Sequence, residues 1–189
     1  MLSDLTLSAF IVIGLRLLLP LTILKWRVFG ALVSPLADAL DVVLVDILVL
    51  VLHEPQTGFG NHYQFIDKWL DMYYFTLEVL VSLWWTNKLA KNTSIALYLY
   101  RFAGMVLFEI TGIRKIFFFF PNLFENFFLY YVIATKWFPR LVPKTKKQLA
   151  VVLLLLYIPK FGQEWLLHYA QAHPWGWIRD TFLPFIIRR

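Results

Sequence analysis

The chain has no cysteine, which excludes disulfides and thiolate metal sites. It carries no RNA- or DNA-binding motif. The net charge of +6 lies mainly between apolar blocks, which points to anionic lipid headgroups rather than nucleic acid. No repeat or low-complexity tract stands out, and no polar stretch is left over for a separate soluble domain. Residues 1–189 therefore read as a single integral membrane domain. The first apolar stretch lacks a small-residue cleavage site and is too long for a signal peptide, so it reads as a span.

What the chain has in excess is apolar sequence. It is 60% hydrophobic, against about 45–50% in soluble domains, and the excess sits in long blocks. The expected fold class is all-α: a polytopic membrane helix bundle of about six transmembrane helices with an interfacial C-terminal segment. The blocks run from Leu5 to Ile23, Val28 to Leu52, Phe65 to Trp85, Ile95 to Gly112, Ile116 to Thr135 and Gln148 to Ala170. Pro121-Asn122 interrupts the fifth and Pro159-Lys160 breaks the sixth. The aromatic and basic tail from His173 to Arg189 reads as the interfacial segment. Six spans put both termini on one side, with Arg114, Lys115, Arg179, Arg188 and Arg189. The other side carries Lys25, Arg27, Lys88, Lys91, Lys136, Arg140, Lys144, Lys146 and Lys147, which marks it as cytoplasmic. The expected location is a prokaryotic cytoplasmic membrane. Trp26, Trp84, Trp85, Trp137, Trp175 and Trp177 fall at span ends, as an aromatic belt should.

Against that background the acids need a reason. Asp38, Asp41, Asp46, Asp67, Asp71 and Glu78 lie inside or at the ends of the second and third blocks. A carboxylate at the bilayer centre costs roughly 2.5–3.5 kcal/mol on insertion scales, so each needs a partner, an ion or water. Asp38 and Asp41 are three apart on one helix face, and Asp67 and Asp71 four apart on another. Tyr74, Glu78 and Trp85 continue the second stripe. Glu109, Glu125, Arg16 and Arg101 fall at compatible depths, so one polar chamber would hold them all. Paired carboxylates on facing helices suit Mg²⁺ or Mn²⁺, and two such ions can clamp a transferring phosphoryl group. The competing reading is an ion-pair network in which Arg16, Lys68 and Arg101 neutralise the acids.

The order of these residues resembles the CDP-alcohol phosphotransferase family, whose signature is DxxDGxxAR followed by GxxxDxxxD over helices two and three. Here Asp38-x-x-Asp41 and Asp67-x-x-x-Asp71 stand in those places, with Arg16-x-x-x-Pro20 in the first block. The resemblance covers roughly the first 115 residues. It implies Asp38, Asp41, Asp67 and Asp71 as metal ligands, with Asp71 also the catalytic base toward an acceptor alcohol. It implies Arg101, and Arg16 with it, as phosphate-binding groups, and a CDP-lipid donor with CMP leaving. The chain departs from the signature at Val42, Val45-Asp46 and Tyr63, where the family has Gly, Ala-Arg and Gly. Asp46, Glu78, Glu109 and Glu125 are secondary candidates. The partners implied are membrane lipids, a lipid-linked phosphate substrate and a homodimeric second copy, with no nucleic acid.

Two other readings stay open. One is a non-enzymatic ion or proton carrier, or a membrane subunit of a larger complex. The other is a prenyl-diphosphate-using transferase, since Asp38-x-x-Asp41 followed by Asp46 is similar to the first Asp-rich motif of UbiA-type enzymes. Among smaller features, Glu125 and Asn126 either complete the chamber or cap a helix after Pro121. His53 and His62 bracket a loop and are candidate ligands. Gly58-Phe59-Gly60 lacks the context of a phosphate loop. Lys144 to Lys147 reads as a headgroup-binding cluster.

Overall fold

A computed structural model of the chain describes residues 5–54, 63–170, 172 and 181. His62, the Gly58-Phe59-Gly60 stretch and the C-terminal segment, with Trp175 and Trp177, lie outside the described residues, apart from residues 172 and 181. The described residues are helical, with no strand among them.

Seven helices follow the apolar blocks closely: α1 (Leu7–Leu18), α2 (Arg27–Leu52), α3 (Tyr63–Ser82), α4 (Lys88–Thr111), α5 (Ile116–Phe119), α6 (Leu123–Trp137) and α7 (Lys146–Glu164). A 3₁₀ segment, Leu19–Leu24, extends α1, and Pro20 at its start brings the fixed φ that such an entry tolerates. Local chemistry sets the ends. Thr6 caps α1 by accepting from the Ala9 amide, and Asn87 caps α4 through the Ala90 amide. Thr145 and Gln148 form a reciprocal capping box on α7. His53 and Gly112 adopt left-handed conformations that stop α2 and α4.

Three boundaries differ from the sequence expectation. Helix α4 begins seven residues before Ile95, because the Asn87 cap recruits the polar turn from Lys88 to Ser94 into the helix. The break at Pro121-Asn122 is real and separates α5 from α6. Pro159, in contrast, sits inside α7 without ending it, and the helix widens only later into a π-helical turn, Trp165–Tyr169.

Helix α3 is the axle, touching α1, α2, α4 and α6, while α7 packs outside on α6. Two cores flank it. One gathers Ile23, Val81, Trp85, Phe127, Phe128 and Tyr131; the other holds Tyr74, Phe75, Met105, Phe117 and Phe124. Trp85 corrects the belt assignment: it is buried, stacked 3.9 Å from the Tyr131 ring and 5.5 Å from Phe128. Two glycines permit the closest approaches. A Cβ at Gly30 would sit 2.4 Å from the Ile23 backbone nitrogen, and one at Gly104 would sit 2.4 Å from the Phe120 Cβ. Leu7–Leu24 and Lys88–Thr111 are long and apolar enough to cross a membrane, by length and composition.

Candidate metal centre

The acids of α2 and α3 do converge, and what they converge on is Arg16. Three-residue spacing aims Asp38 and Asp41 from one side of α2, and four-residue spacing aims Asp67 and Asp71 from α3. Arg16 projects from the last full turn of α1 into the gap. Its Nη1 donates to Asp41 at 2.5 Å and to Asp67 at 2.9 Å. Its Nη2 donates to Asp71 at 2.9 Å and to Asp38. Each terminal nitrogen of the guanidinium fork thus bridges the two helices, and every bond is charge-assisted. Lys68 adds bonds of 2.7 Å to Asp67 and 3.1 Å to Asp71.

Four carboxylates therefore face two cations, a formal surplus of two negative charges. Asp38, Asp67 and Asp71 each offer an oxygen, all within 4.8 Å of one another, and this group could hold a metal ion. The site is graded in access. The Asp41 side chain is 2% exposed and Asp67 and Asp71 are 11% and 10%, whereas Asp38 is 33% exposed and opens the cluster to the outside. Hard oxygen donors, a charge deficit of two and one open edge are the donor set that Mg²⁺ or Mn²⁺ takes.

The ion-pair network expected from Arg16, Lys68 and Arg101 forms only in part. Arg101 is buried but donates to the Phe120 carbonyl at 2.7 Å and lies 4.5 Å from the Phe117 ring centroid. Lys68 reaches the same ring at 5.7 Å. Phe117 thus touches both the acid cluster's lysine and Arg101.

Beyond Arg101 lies a second polar group. Glu78 is fully buried, and neither of its oxygens has a hydrogen-bond partner among the described residues. Glu125 sits near enough to repel it and within reach of the Tyr74 hydroxyl. Asn122 holds this group to α7: its side chain donates to Glu125 at 2.5 Å and its amide donates to Glu164 at 2.9 Å. Lys160 stands 3.7 Å from Glu164.

The single chamber is therefore two adjoining clusters, and Glu109 falls outside both. Glu109 is exposed on α4. Asp46 is half-buried and is not among the four acceptors of Arg16, because five residues from Asp41 turn it well off that face. His53 is exposed and its Nδ1 lies 3.1 Å from the Val51 carbonyl, so it contributes nothing to the cluster. Sequence reasoning missed Lys160 and Glu164. Their four-residue spacing on an apolar helix was the available signal.

No family model matches the chain, and no curated protein or solved structure matches it.

Proposed function

We propose that the chain is a six-span membrane enzyme, a divergent relative of the CDP-alcohol phosphotransferases. It would transfer a phosphate-linked group between a lipid-linked donor and an alcohol in phospholipid metabolism. The observation that carries this reading is the carboxylate surplus. Asp38, Asp67 and Asp71 bring three oxygens within 4.8 Å of one another, and Arg16 and Lys68 cancel only two of four negative charges. A surplus of buried carboxylates either holds protons or takes a cation, and a bound divalent cation would satisfy it.

The six-span arrangement is supported by the succession of helical stretches along the described residues, counting α5 and α6 as one interrupted stretch, two of which are long and apolar enough to cross a membrane. Outward-facing Leu18, Val51, Leu155 and Ile110 give those stretches a lipid-compatible surface. In the enzyme, Asp38, Asp41, Asp67 and Asp71 would hold Mg²⁺ or Mn²⁺, and the ion would supply charge neutralisation for the phosphoryl oxygens. Arg16, with both terminal nitrogens taken up by aspartates, sets the spacing of the four carboxylates, and Arg101 is the guanidinium left to meet a phosphate. Asp71 would accept the proton of the acceptor hydroxyl, whose oxygen bonds the phosphorus as the bond to CMP breaks.

The test is Mn²⁺-dependent transfer from CDP-diacylglycerol to a panel of alcohols in micelles, with Asp71→Asn as control. Turnover that Asp71→Asn abolishes supports the reading. Absence of turnover with every CDP-lipid, together with absence of divalent binding, overturns it. Competition between a CDP-lipid and a prenyl diphosphate for protection from thermal unfolding separates the two donor classes.

A second reading has its own observation. Glu78 is fully buried without a hydrogen-bond partner among the described residues, beside Glu125, and buried acids in series build proton paths. A carrier predicts reconstituted proton flux that Glu78→Gln abolishes and that needs no divalent ion.

A further inference from the structure

The opposite end of the bundle carries a second site, made of cations instead of acids. A cleft of about 770 Å³ opens where the turn between the 3₁₀ segment and α2, the end of α3 and the end of α6 meet. That volume is within the range of about 300–1,000 Å³ typical of small-molecule sites. Lys25, Arg27 and Lys136 line it from two separate stretches of chain, and no Asp or Glu is among the described residues that line it. Three cationic residues thus line one space, with no acid among the described residues around it.

Neighbours hold two of these cations in place. Lys25 lies 5.2 Å from the Trp26 ring centroid and Lys136 lies 4.8 Å from that of Trp137. The floor is rigid: Trp85 and Tyr131, stacked on each other, also line the cleft. Thr86 and Thr135 add hydroxyls. The first turn of α2 also opens here, since Arg27, Val28 and Phe29 are lining residues. Trp26 at the cap position supplies no side-chain acceptor, and helix geometry leaves those first amides without an intrahelical partner. Amide donors and a positive helix end therefore reinforce the three cations.

We propose that this cleft binds a phosphate-bearing anion, and that it does so independently of the carboxylate cluster. Arg27 and Asp38 are eleven residues apart on one helix, roughly 16 Å at 1.5 Å per residue. No single phosphate or diphosphate group can therefore reach both places. The shared chemistry is a phosphate or diphosphate group. It can come from an anionic lipid headgroup or from a soluble phosphate compound.

The experiment uses the full chain in a neutral detergent and reads quenching of the cleft tryptophans. One arm titrates inorganic pyrophosphate; the other titrates a short-chain phosphatidic acid, with the matching phosphatidylcholine as reference. Binding in both arms, with mutual competition, supports one site open to either source. Binding in the lipid arm alone supports a headgroup site, and binding in the pyrophosphate arm alone supports a soluble ligand. Arg27→Gln with Lys136→Gln should weaken binding by about tenfold or more, as loss of charge-assisted bonds implies. Lys88→Gln with Lys115→Gln, outside the cleft, should leave it unchanged. All four positions are exposed, so folding is spared, and Arg27→Lys provides a milder variant. No quenching in either arm, or equal loss in both double variants, overturns the proposal.

Discussion

Removing Arg16 is the sharpest perturbation available. Arg16→Met keeps much of the length and apolar stem of the side chain while deleting the group that four carboxylates share. Breaking a buried ion pair by taking away one partner costs about 3–5 kcal/mol, because the other partner is left charged and dry. Here four acids lose that partner and only Lys68 remains, so the cost belongs at the upper end, about 5 kcal/mol. The variant then holds a formal excess of three negative charges where the wild type has two. A divalent cation should therefore bind it more tightly and recover stability. At a hundredfold excess over Kd the recovery is about 2.7 kcal/mol, roughly half the loss. Denaturant unfolding in micelles, followed by tryptophan fluorescence with and without Mg²⁺, measures both quantities. Sodium chloride at matched ionic strength is the control. Adding Asp41→Asn to Arg16→Met should restore part of the loss, since coupled neighbours depart from additivity by about 0.5–3 kcal/mol. An Arg16→Met protein within about 0.5 kcal/mol of wild type, or one that sodium rescues as well as magnesium, would refute the reasoning.

Other outcomes follow from separate parts of the fold. Gly104→Ala should cost about 1–3 kcal/mol through overpacking, because its Cβ would meet Phe120 at 2.4 Å; Gly14→Ala, with nothing within 4 Å, should be neutral or stabilising in the same melts. Asp67→Asn should cut divalent protection against thermal unfolding by at least tenfold in apparent affinity, the loss typical of a charged ligand, whereas Glu109→Gln should leave it unchanged. Glu54 gives a pH dependence. It accepts from the Ser8 hydroxyl and from the Leu7 and Ser8 amides at 2.9 Å and 3.1 Å. The Ser8 hydrogen bond, foremost, holds its carboxyl below the ordinary value of 4.5. Its contribution is fully present above that ordinary value and is lost as pH falls through the lower folded value. The difference in melting temperature between wild type and Glu54→Gln should therefore shrink on acidification, and a difference constant with pH would contradict the assignment.

The helices were legible because apolar blocks and breakers are local signals. Leu7–Leu24 and Arg27–Leu52 differ from the sequence reading by a residue or two. The start of α4 was hidden because Lys88 to Ser94 is polar, and its helicity follows from the Asn87 cap instead of hydrophobicity. Pro159 was expected to break a helix, yet flanking turns on both sides carry α7 through it. At the candidate site, the three- and four-residue spacings correctly put each Asp pair on one face. What spacing cannot give is rotation between helices. That rotation brought both pairs onto Arg16, took Arg101 to the Phe120 carbonyl and turned Glu109 outward. Lys160 and Glu164 reach the second cluster only because α7 docks on α6, a contact no single helix pattern contains.

The most direct measurement is anomalous diffraction from crystals grown in lipid with Mn²⁺. The account predicts a manganese peak between α2 and α3, with oxygens of Asp38, Asp67 and Asp71 at about 2.0–2.2 Å, the range for small hard divalent ions. An absent peak, with Arg16 still gripping all four aspartates, would contradict it.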